Sequence, residues 1–121
     1  MREAATRPWP SELRLDPEKT QLSVSFDTGE RYSLSAEYLR VESPSAEVQG
    51  HGGEDKRIVG GKRQVKIKNL EPVGNYAVRI LFDDGHDTGL YSWDYLHELG
   101  RDFETKWDAY LRALRVKGLH R

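Results

Sequence analysis

The chain has 121 residues, which suits one domain and leaves no room for a second independent core. Nineteen basic residues face twenty acidic ones, so the net charge of −1 predicts no general attraction to nucleic acid or anionic membrane. The absence of cysteine excludes disulfides, thiolate nucleophiles, iron–sulfur ligation by this chain and cysteine-type zinc sites. No apolar run approaches about 20 residues and no secretory h-region is evident, so we expect a cytoplasmic protein.

The first predicted elements follow a polar segment, residues 1–10, that we expect to be flexible. Alternating apolar residues predict a hairpin from residues 12–15 and 22–26, and residues 31–34 read as the next short strand. Ser35 is placed to cap a brief helix over residues 36–40, because its hydroxyl can accept an early backbone N–H.

Residues 41–62, VESPSAEVQGHGGEDKRIVGGK, show no periodicity and hold five of the eleven glycines. Structureless loops longer than about 12–15 residues are uncommon in compact domains and are usually functional or disordered. We therefore expect a long, mobile loop that is the first place to look for a binding surface.

The second half repeats the alternation of strand and turn. Residues 64–70 form a strand with Val65 and Ile67 facing inward, and residues 71–75 turn the chain. Residues 76–82 form the next strand, with inward positions at Tyr76, Val78, Ile80 and Phe82, and residues 90–91 close a short one. Ser92 caps a helix that runs through residue 99, is interrupted at residue 100, and is followed by a helix over residues 101–116. The domain is expected to span residues 11–116, with residues 117–121 as a tail.

An internal similarity links the two halves. LSVSFDTGERYSLSAEYL and VRILFDDGHDTGLYSWDYL share a strand, an F-D-x-G turn, a short strand and an S-x-[D/E]-Y-L helix start. Two strand–turn–strand–helix units packed about a pseudo-two-fold axis would explain this order. Chance reuse of common Asp-Gly hairpin turns is the alternative. The predicted fold is α+β, a mainly antiparallel sheet with a C-terminal helix packed on it.

The second F-D-x-G turn contains His86, which follows Gly85 among acidic neighbours. We expect its ring to be partly exposed and its proton affinity to be raised by those neighbours. A structural role is the simplest interpretation. The alternative is a metal site in which His51, from the long loop, is the second ligand and Glu47, Asp84 and Asp87 offer oxygens, a set that suits iron or zinc.

The remaining candidates have simpler interpretations. His97 and His120 are expected to be solvated or packed, and no nucleophile–base pair is indicated, so we expect no enzyme. A basic stretch could contact RNA or an acidic protein, although a solvated strand face and loop explain it as well. It comprises Lys56, Arg57, Lys62, Arg63, Lys66 and Lys68. The aromatic residues expected in the core are Trp93, Trp107, Tyr91 and Tyr95, and Trp9 is expected to dock on the domain or on a partner.

Three stretches, YLRVESPSAEVQGH, EPVGNYAVRILFDDGHDTGLYSWDYL and the closing W-x-x-Y-L, resemble the gamma-butyrobetaine hydroxylase-like N-terminal domain family. The resemblance extends from about residue 9 to residue 114. Members of that family occur as small stand-alone bacterial proteins. Others are fused to P-loop iron–sulfur cluster carrier ATPases or precede the oxygenase domain of carnitine-pathway hydroxylases.

In those hydroxylases the resembling domain binds structural zinc through a C-P-C-x-x-C segment and a later histidine. The resemblance places the three cysteines on Ser43, Ser45 and Val48, keeps Pro44, and places the histidine on His86. Serine hydroxyls and valine do not hold zinc tetrahedrally, so the hydroxylase-type zinc site is not expected. The iron and 2-oxoglutarate site belongs to the oxygenase domain, which this chain does not contain.

The expected function is a non-enzymatic binding or adaptor domain, which the family fusions link to iron–sulfur or metal-dependent oxidative metabolism. We expect a protein partner and no membrane, disfavour nucleic acid and leave a homodimer open. The first alternative is an iron- or zinc-binding protein that uses His86 and His51, and the weaker one is an RNA or acidic-protein binder that uses the basic stretch. The expected binding surface comprises Arg40, Ser43, Pro44, Ser45, Glu47, His51, Asp84, His86 and Asp87.

Overall fold

The computed structural model describes residues 8–50 and 56–121, which form two three-stranded antiparallel sheets and four helices. The first sheet has the order β1-β2-β3 and the second β4-β5-β6, so the fold is α+β as predicted. None of the helices in the described ranges is long and apolar enough to cross a membrane. In chain order the elements are β1 (Pro10–Leu15), β2 (Gln21–Phe26), β3 (Arg31–Ser35), α1 (Ala36–Val41), α2 (Ala46–Gln49), β4 (Ile67–Val73), β5 (Ala77–Phe82), β6 (Gly89–Ser92), α3 (Trp93–Arg101) and α4 (Phe103–Lys117).

The two sheets repeat each other in detail, down to an irregularity in register at the same place in β1 and β4. We call the turn at residues 26–30 the first bend and the turn at residues 82–88 the second bend. The amide of Phe26 donates to the carbonyl of Glu30 at 2.8 Å, and that of Phe82 donates to the carbonyl of His86 at 2.9 Å. Gly29 and Gly85 both have a φ of +93°, a left-handed conformation that glycine adopts without strain.

α1 and α3, the helices that follow the two sheets, each form a hydrogen bond to the opposite repeat. Ser35 accepts from the amide of Tyr38, as Ser92 does from that of Tyr95, so both predicted caps are confirmed. The hydroxyl of Tyr38 donates to the carbonyl of Leu99 at 2.7 Å, and the hydroxyl of Tyr95 donates to the carbonyl of Glu42 at 2.6 Å. These two bonds are reciprocal, because each joins equivalent atoms of opposite repeats. The prediction of two packed units is confirmed, and chance reuse of turns does not explain such reciprocity.

The core lies between the inner faces of the sheets and the helices. Tyr91 is fully buried, whereas Trp93, Tyr95 and Trp107 are partly buried and pack against the core, as their positions predicted. A smaller cluster sits beneath α4. The inward residues of the central strands are Leu22, Val24 and Phe26 in the first sheet and Val78, Ile80 and Phe82 in the second.

Three predicted boundaries in the middle of the chain are wrong. Tyr76 is 55% exposed because it lies in the turn before β5 rather than in the strand. β4 continues through Pro72, which an edge strand tolerates because no neighbour needs the missing N–H on its open side. The segment predicted to be a loop contains α2 near its start, and residues 51–55 lie outside the described residues.

Gly100 does not interrupt the helix, since α3 continues through Arg101 and the break falls at Asp102. A Cβ added at Gly100 would lie 2.3 Å from Cγ of Tyr32. The glycine is therefore required by the close approach of Tyr32 and not by helix termination.

The amino-terminal stretch is joined to the first sheet by Trp9, whose amide donates to Asp27 and whose carbonyl accepts from the amide of Asp27. The Trp9 side chain is 50% exposed, so it is the backbone that docks. The preceding residues, 1–7, lie outside the described part of the chain.

Candidate functional site

The candidate site is a seam where the segment after α1 packs on the second bend. We define the seam as Ser43, Ser45, Glu47, His86 and Thr88, which contact one another through their side chains. α1 delivers the first three because it crosses toward the second repeat, and Ser45 begins α2 by accepting the amide of Glu47. The bend presents the other two between β5 and β6.

A hydroxyl, an imidazole and a carboxylate are aligned in the seam. Ser43 Oγ lies 2.9 Å from His86 Nε2, and Glu47 Oε1 lies 3.2 Å from His86 Nδ1. In a neutral imidazole one nitrogen donates and the other accepts, so a proton on Nδ1, the nitrogen that faces the Glu47 carboxylate, would leave Nε2 to accept from the serine hydroxyl. Nucleophile, base and orienting acid follow the same order in serine hydrolases.

The exposure of these groups is the reverse of what catalysis needs. Ser43 is completely buried and His86 is 7% exposed, whereas the Glu47 side chain is 66% exposed. Gly89 closes over the hydroxyl, since a Cβ added there would lie 2.6 Å from Ser43 Oγ. A substrate carbonyl has no approach to this oxygen in the observed conformation, so the alignment is a structural link between the repeats.

Burial also decides the charge state of the imidazole. Loss of hydration lowers the pKa of His86, and the positive charge of Arg40 lowers it further. These effects outweigh the nearby carboxylates, of which Glu47 acts most strongly. The expectations of a partly exposed ring and a raised proton affinity are both wrong, because the ring turns inward from the bend instead of facing its acidic neighbours.

A charged group flanks the seam on the side of α1. Arg40 Nε lies 2.8 Å and Lys62 Nζ 2.6 Å from Asp84 Oδ2, and Asp84 Oδ1 accepts from the amide of His86 at 3.0 Å. Partial burial opposes ionisation of Asp84, but these contacts hold the pKa of its carboxyl at about 2. Two cations share one carboxylate, so these three side chains keep one net positive charge. Nη1 of Arg40 is buried and has no partner within the described ranges.

The structure brings most of the predicted binding residues together. Arg40, Ser43, Ser45, Glu47, Asp84 and His86 converge, and Pro44 packs near Gly89. The side chain of Asp87 points to solvent, and its carbonyl lies 3.4 Å from Arg79 Nη1. His51 lies outside the described residues, so its distance from His86 is not defined.

Among the residues that the resemblance aligns with zinc ligands, only His86 is of a type that commonly binds zinc. Val48 is buried in the protein interior, and the described part of the chain contains no group of three or more His, Cys, Asp or Glu placed to hold a metal ion. The metal alternative therefore has no supporting contact among the described residues.

Four residues that form or flank the seam were not predicted as part of the site. Thr88 bonds to Ser45 and Glu47, Gln49 donates to the carbonyl of Ser43, Lys62 pairs with Asp84, and Gly89 covers Ser43. Aligning the two repeats would have pointed to Gly89, which stands opposite Tyr32 of the first repeat.

The other predicted candidates are packed or solvated. His97 Nε2 lies 2.9 Å from Glu30 Oε1 and its ring packs edge-on against Phe26, whereas His120 is exposed. In the basic stretch, Lys56 pairs with Glu42 and Lys62 with Asp84. The rest of it has no ion pair with the described residues, namely Arg57, Arg63, Lys66 and Lys68.

Residues 13–97 match the family model described as gamma-butyrobetaine hydroxylase-like, N-terminal. The chain belongs to this gamma-butyrobetaine hydroxylase-like N-terminal family. Two NMR solution structures share its fold, both with a TM-score of 0.82, at 45% and 43% identity. They cover 100% and 95% of this chain, which in turn covers 90% of each of theirs.

A crystal structure from Acidithiobacillus ferrooxidans is also similar, and it is described as a protein of unknown function in the DUF971 family. It has 37% identity and a TM-score of 0.63 over 75% of this chain and 91% of that one. No curated protein matches the chain.

Proposed function

We propose that this member of the gamma-butyrobetaine hydroxylase-like N-terminal family is a non-enzymatic binding module. Its contact surface in this proposal is the exposed edge of the seam, which we call the rim and define as Ala46, Glu47, Asp87, Thr88 and Leu90. The observation that carries the proposal is the complete burial of Ser43 beneath Gly89, next to a Leu90 side chain that is 44% exposed. Ser43 and His86 are shielded from solvent, whereas the residues of the rim around them are exposed.

The main chain of the rim supports recognition of an extended segment. β6 is an edge strand, and the amide of Trp93 donates to the carbonyl of Tyr76, the residue just before β5. Hydrogen-bonded and non-hydrogen-bonded pairs alternate along an antiparallel ladder, so the N–H and C=O of Leu90 point away from β5. A partner strand can add at such an edge, with main-chain bonds giving affinity and side chains giving specificity.

The side chains of the rim indicate the chemistry of that partner. Glu47 and Asp87 are exposed carboxylates of the rim, and Leu90 is its exposed apolar residue. A complementary segment would combine basic residues with an apolar one. The family resemblance supports a partner from iron–sulfur or metal-dependent oxidative metabolism, because related domains are fused to P-loop iron–sulfur carrier ATPases or to oxygenase domains.

The test is an NMR titration of the isotope-labelled chain with the purified P-loop iron–sulfur carrier ATPase of the same genome. We expect shifts at residues 44–47 and 87–92, and binding at least about 10-fold weaker for Glu47→Lys/Leu90→Asp because apolar and charge contacts are both lost. Ser33→Asp is the matched control, because Ser33 occupies the place of Leu90 in the first repeat and is also exposed. No binding, or shifts confined to residues 56–68, would reject the rim as the contact surface for this partner.

A further inference from the structure

A separate cleft lies away from the rim, between the start of α1, the loop before β4 and one face of α4. Its volume is 460 Å³, within the range of sites that bind small molecules or single side chains. The residues that matter here are Glu37, Arg63, Lys66, Trp107 and Arg121.

The cleft already holds a guanidinium group. Arg121 Nε lies 3.1 Å from Glu37 Oε2, and Arg121 Nη2 lies 2.9 Å from Glu37 Oε1, which is the two-pronged geometry of an arginine–carboxylate pair. The Arg121 Cζ also lies 5.4 Å from the centroid of the Trp107 ring, within cation–π range.

Glu37 and Trp107 form a receptor that suits arginine better than lysine. The side chain of Glu37 is only 7% exposed, so its charge depends on a partner that replaces lost hydration. A planar guanidinium can bond both carboxylate oxygens and lie over an indole at once, whereas an ammonium is a point charge without a flat face.

The segment that delivers Arg121 follows the end of α4 and is held by main-chain bonds on one side. α4 ends at Gly118, which is left-handed, and the amide of Leu119 donates to the carbonyl of Leu114. The amide of Gly61 donates to the carbonyl of His120 at 2.7 Å. The Arg121 side chain remains 40% exposed, so a competing guanidinium can reach the receptor when this segment lifts away.

Two further cations lie at the same cleft. Arg63 and Lys66 line it and have no ion pair with the residues that the structure describes. Glu37 and Arg121 neutralise each other, so the unpaired charge around the cleft is positive. A ligand whose arginine occupies the receptor would gain from a carboxylate next to that arginine.

We propose that the Glu37–Trp107 cleft binds an arginine side chain of another protein in place of Arg121, preferring an arginine followed by an acidic residue. This binding site is independent of the rim, and the two proposals fail separately. Arg121 acts as an internal competitor, present at an effective concentration on the order of millimolar or more, so the exchange is observed most easily when it is removed.

The experiment follows the indole N–H signal of Trp107 in Arg121→Ala during titration with blocked dipeptides. Acetyl-Arg-Glu-amide should shift this signal with a dissociation constant on the order of millimolar, since one ion pair and one cation–π contact hold it. Acetyl-Arg-Lys-amide should bind more weakly, and the unaltered chain should bind acetyl-Arg-Glu-amide at least about 2-fold more weakly. The citrulline analogue, whose side chain is neutral, should not bind.

Two variants assign the response to the cleft. Glu37→Gln in the Arg121→Ala background should abolish it, and Arg112→Ala, which removes an arginine from the outer face of α4, should bind like the unaltered chain. A Trp107 signal that ignores the arginine dipeptides, or that responds equally to the citrulline analogue, overturns the proposal. The citrulline comparison decides the matter even if the Glu37 variant does not fold.

Discussion

In the first repeat Phe26 packs against the rings of Tyr32 and His97, with centroids 6.2 Å and 5.2 Å away, whereas in the second Phe82 packs against the ring of His86, at 6.1 Å. The strand position of Tyr32 is occupied by Gly89 in the second repeat. A Cβ built on Gly89 would meet Ser43 Oγ, and this oxygen lies 2.9 Å from Nε2 of the buried His86. The side chain of Glu30, the counterpart of His86, is 40% exposed.

The positions of Tyr32 and Gly89 also differ in the residue that each meets at the end of the neighbouring helix. Tyr32 approaches Gly100 in the last turn of α3, and Gly89 approaches Ser43 just after α1, which is the equivalent contact in the other repeat. One contact therefore pairs a large strand residue with glycine, and the other pairs glycine with a small polar residue. The second arrangement creates the buried Ser43–His86 bond, so the candidate site arises where the repeats diverge.

The largest effect is expected from Gly100→Ala. Alanine normally favours an exposed helix by about 1 kcal/mol over glycine, but here its Cβ would collide with the Tyr32 ring. We expect a loss of about 2–4 kcal/mol, because the backbone or the ring must shift. Urea unfolding measures the loss, and Tyr32→Ala should restore part of it in the double variant. A more stable Gly100→Ala chain would contradict the observed contact.

His86→Ala should cost about 2–3 kcal/mol, because it leaves the buried Ser43 hydroxyl without its acceptor and opens a cavity. His97→Ala is the comparison at the first bend, where the His97 side chain reaches from α3 to pair with Glu30 and to pack on Phe26. It leaves no buried hydroxyl without its partner, so a smaller loss of about 1–2 kcal/mol is expected. The two free energies of unfolding are compared by denaturant titration, and equal losses would argue against the structural difference between the bends.

Tyr38→Phe and Tyr95→Phe test the symmetric part of the molecule. Each removes one hydroxyl that bonds a carbonyl of the opposite repeat, and each should cost about 1 kcal/mol. The two losses should agree within about 0.5 kcal/mol. A loss confined to one of the pair would show that the reciprocal bonds are not energetically equivalent.

The pH dependence follows from the lowered pKa of His86. Above the ordinary value of 6.5 the ring is neutral in both folded and unfolded chains. Below it, the unfolded chain binds a proton that the folded chain resists, so the free energy of unfolding falls as the pH decreases. The slope is at most about 1.4 kcal/mol per pH unit. Urea unfolding between about pH 7.5 and pH 5 should show a smaller slope for His86→Gln than for the unaltered chain; equal slopes would refute a buried neutral ring.

The smallest effect is expected from added metal. Both ring nitrogens of His86 are engaged by Ser43 and Glu47, so the second bend should take up no more metal than the first. Metal analysis of protein purified without chelators should find less than about a tenth of an equivalent of iron or zinc. Stoichiometric metal that disappears in His86→Ala would instead establish the metal-binding alternative with His86 as a ligand.

The sequence alone determined the fold class, the capped helices and the repeat, because period-two apolar residues, Asp-Gly turns and the Ser-x-x-Tyr pattern all act over a few residues. It also placed the site between the SPSAEVQ segment and the second bend, through the family resemblance. Gly100 was misjudged because its role depends on Tyr32, a residue distant in the chain. His86 was misjudged for the same reason, since its burial against Ser43 and the lowering of its pKa by that burial and by the charge of Arg40 involve residues far away in the chain. Local patterns fix local structure, but the environment of a side chain is a property of long-range packing, and only the tertiary structure decides it.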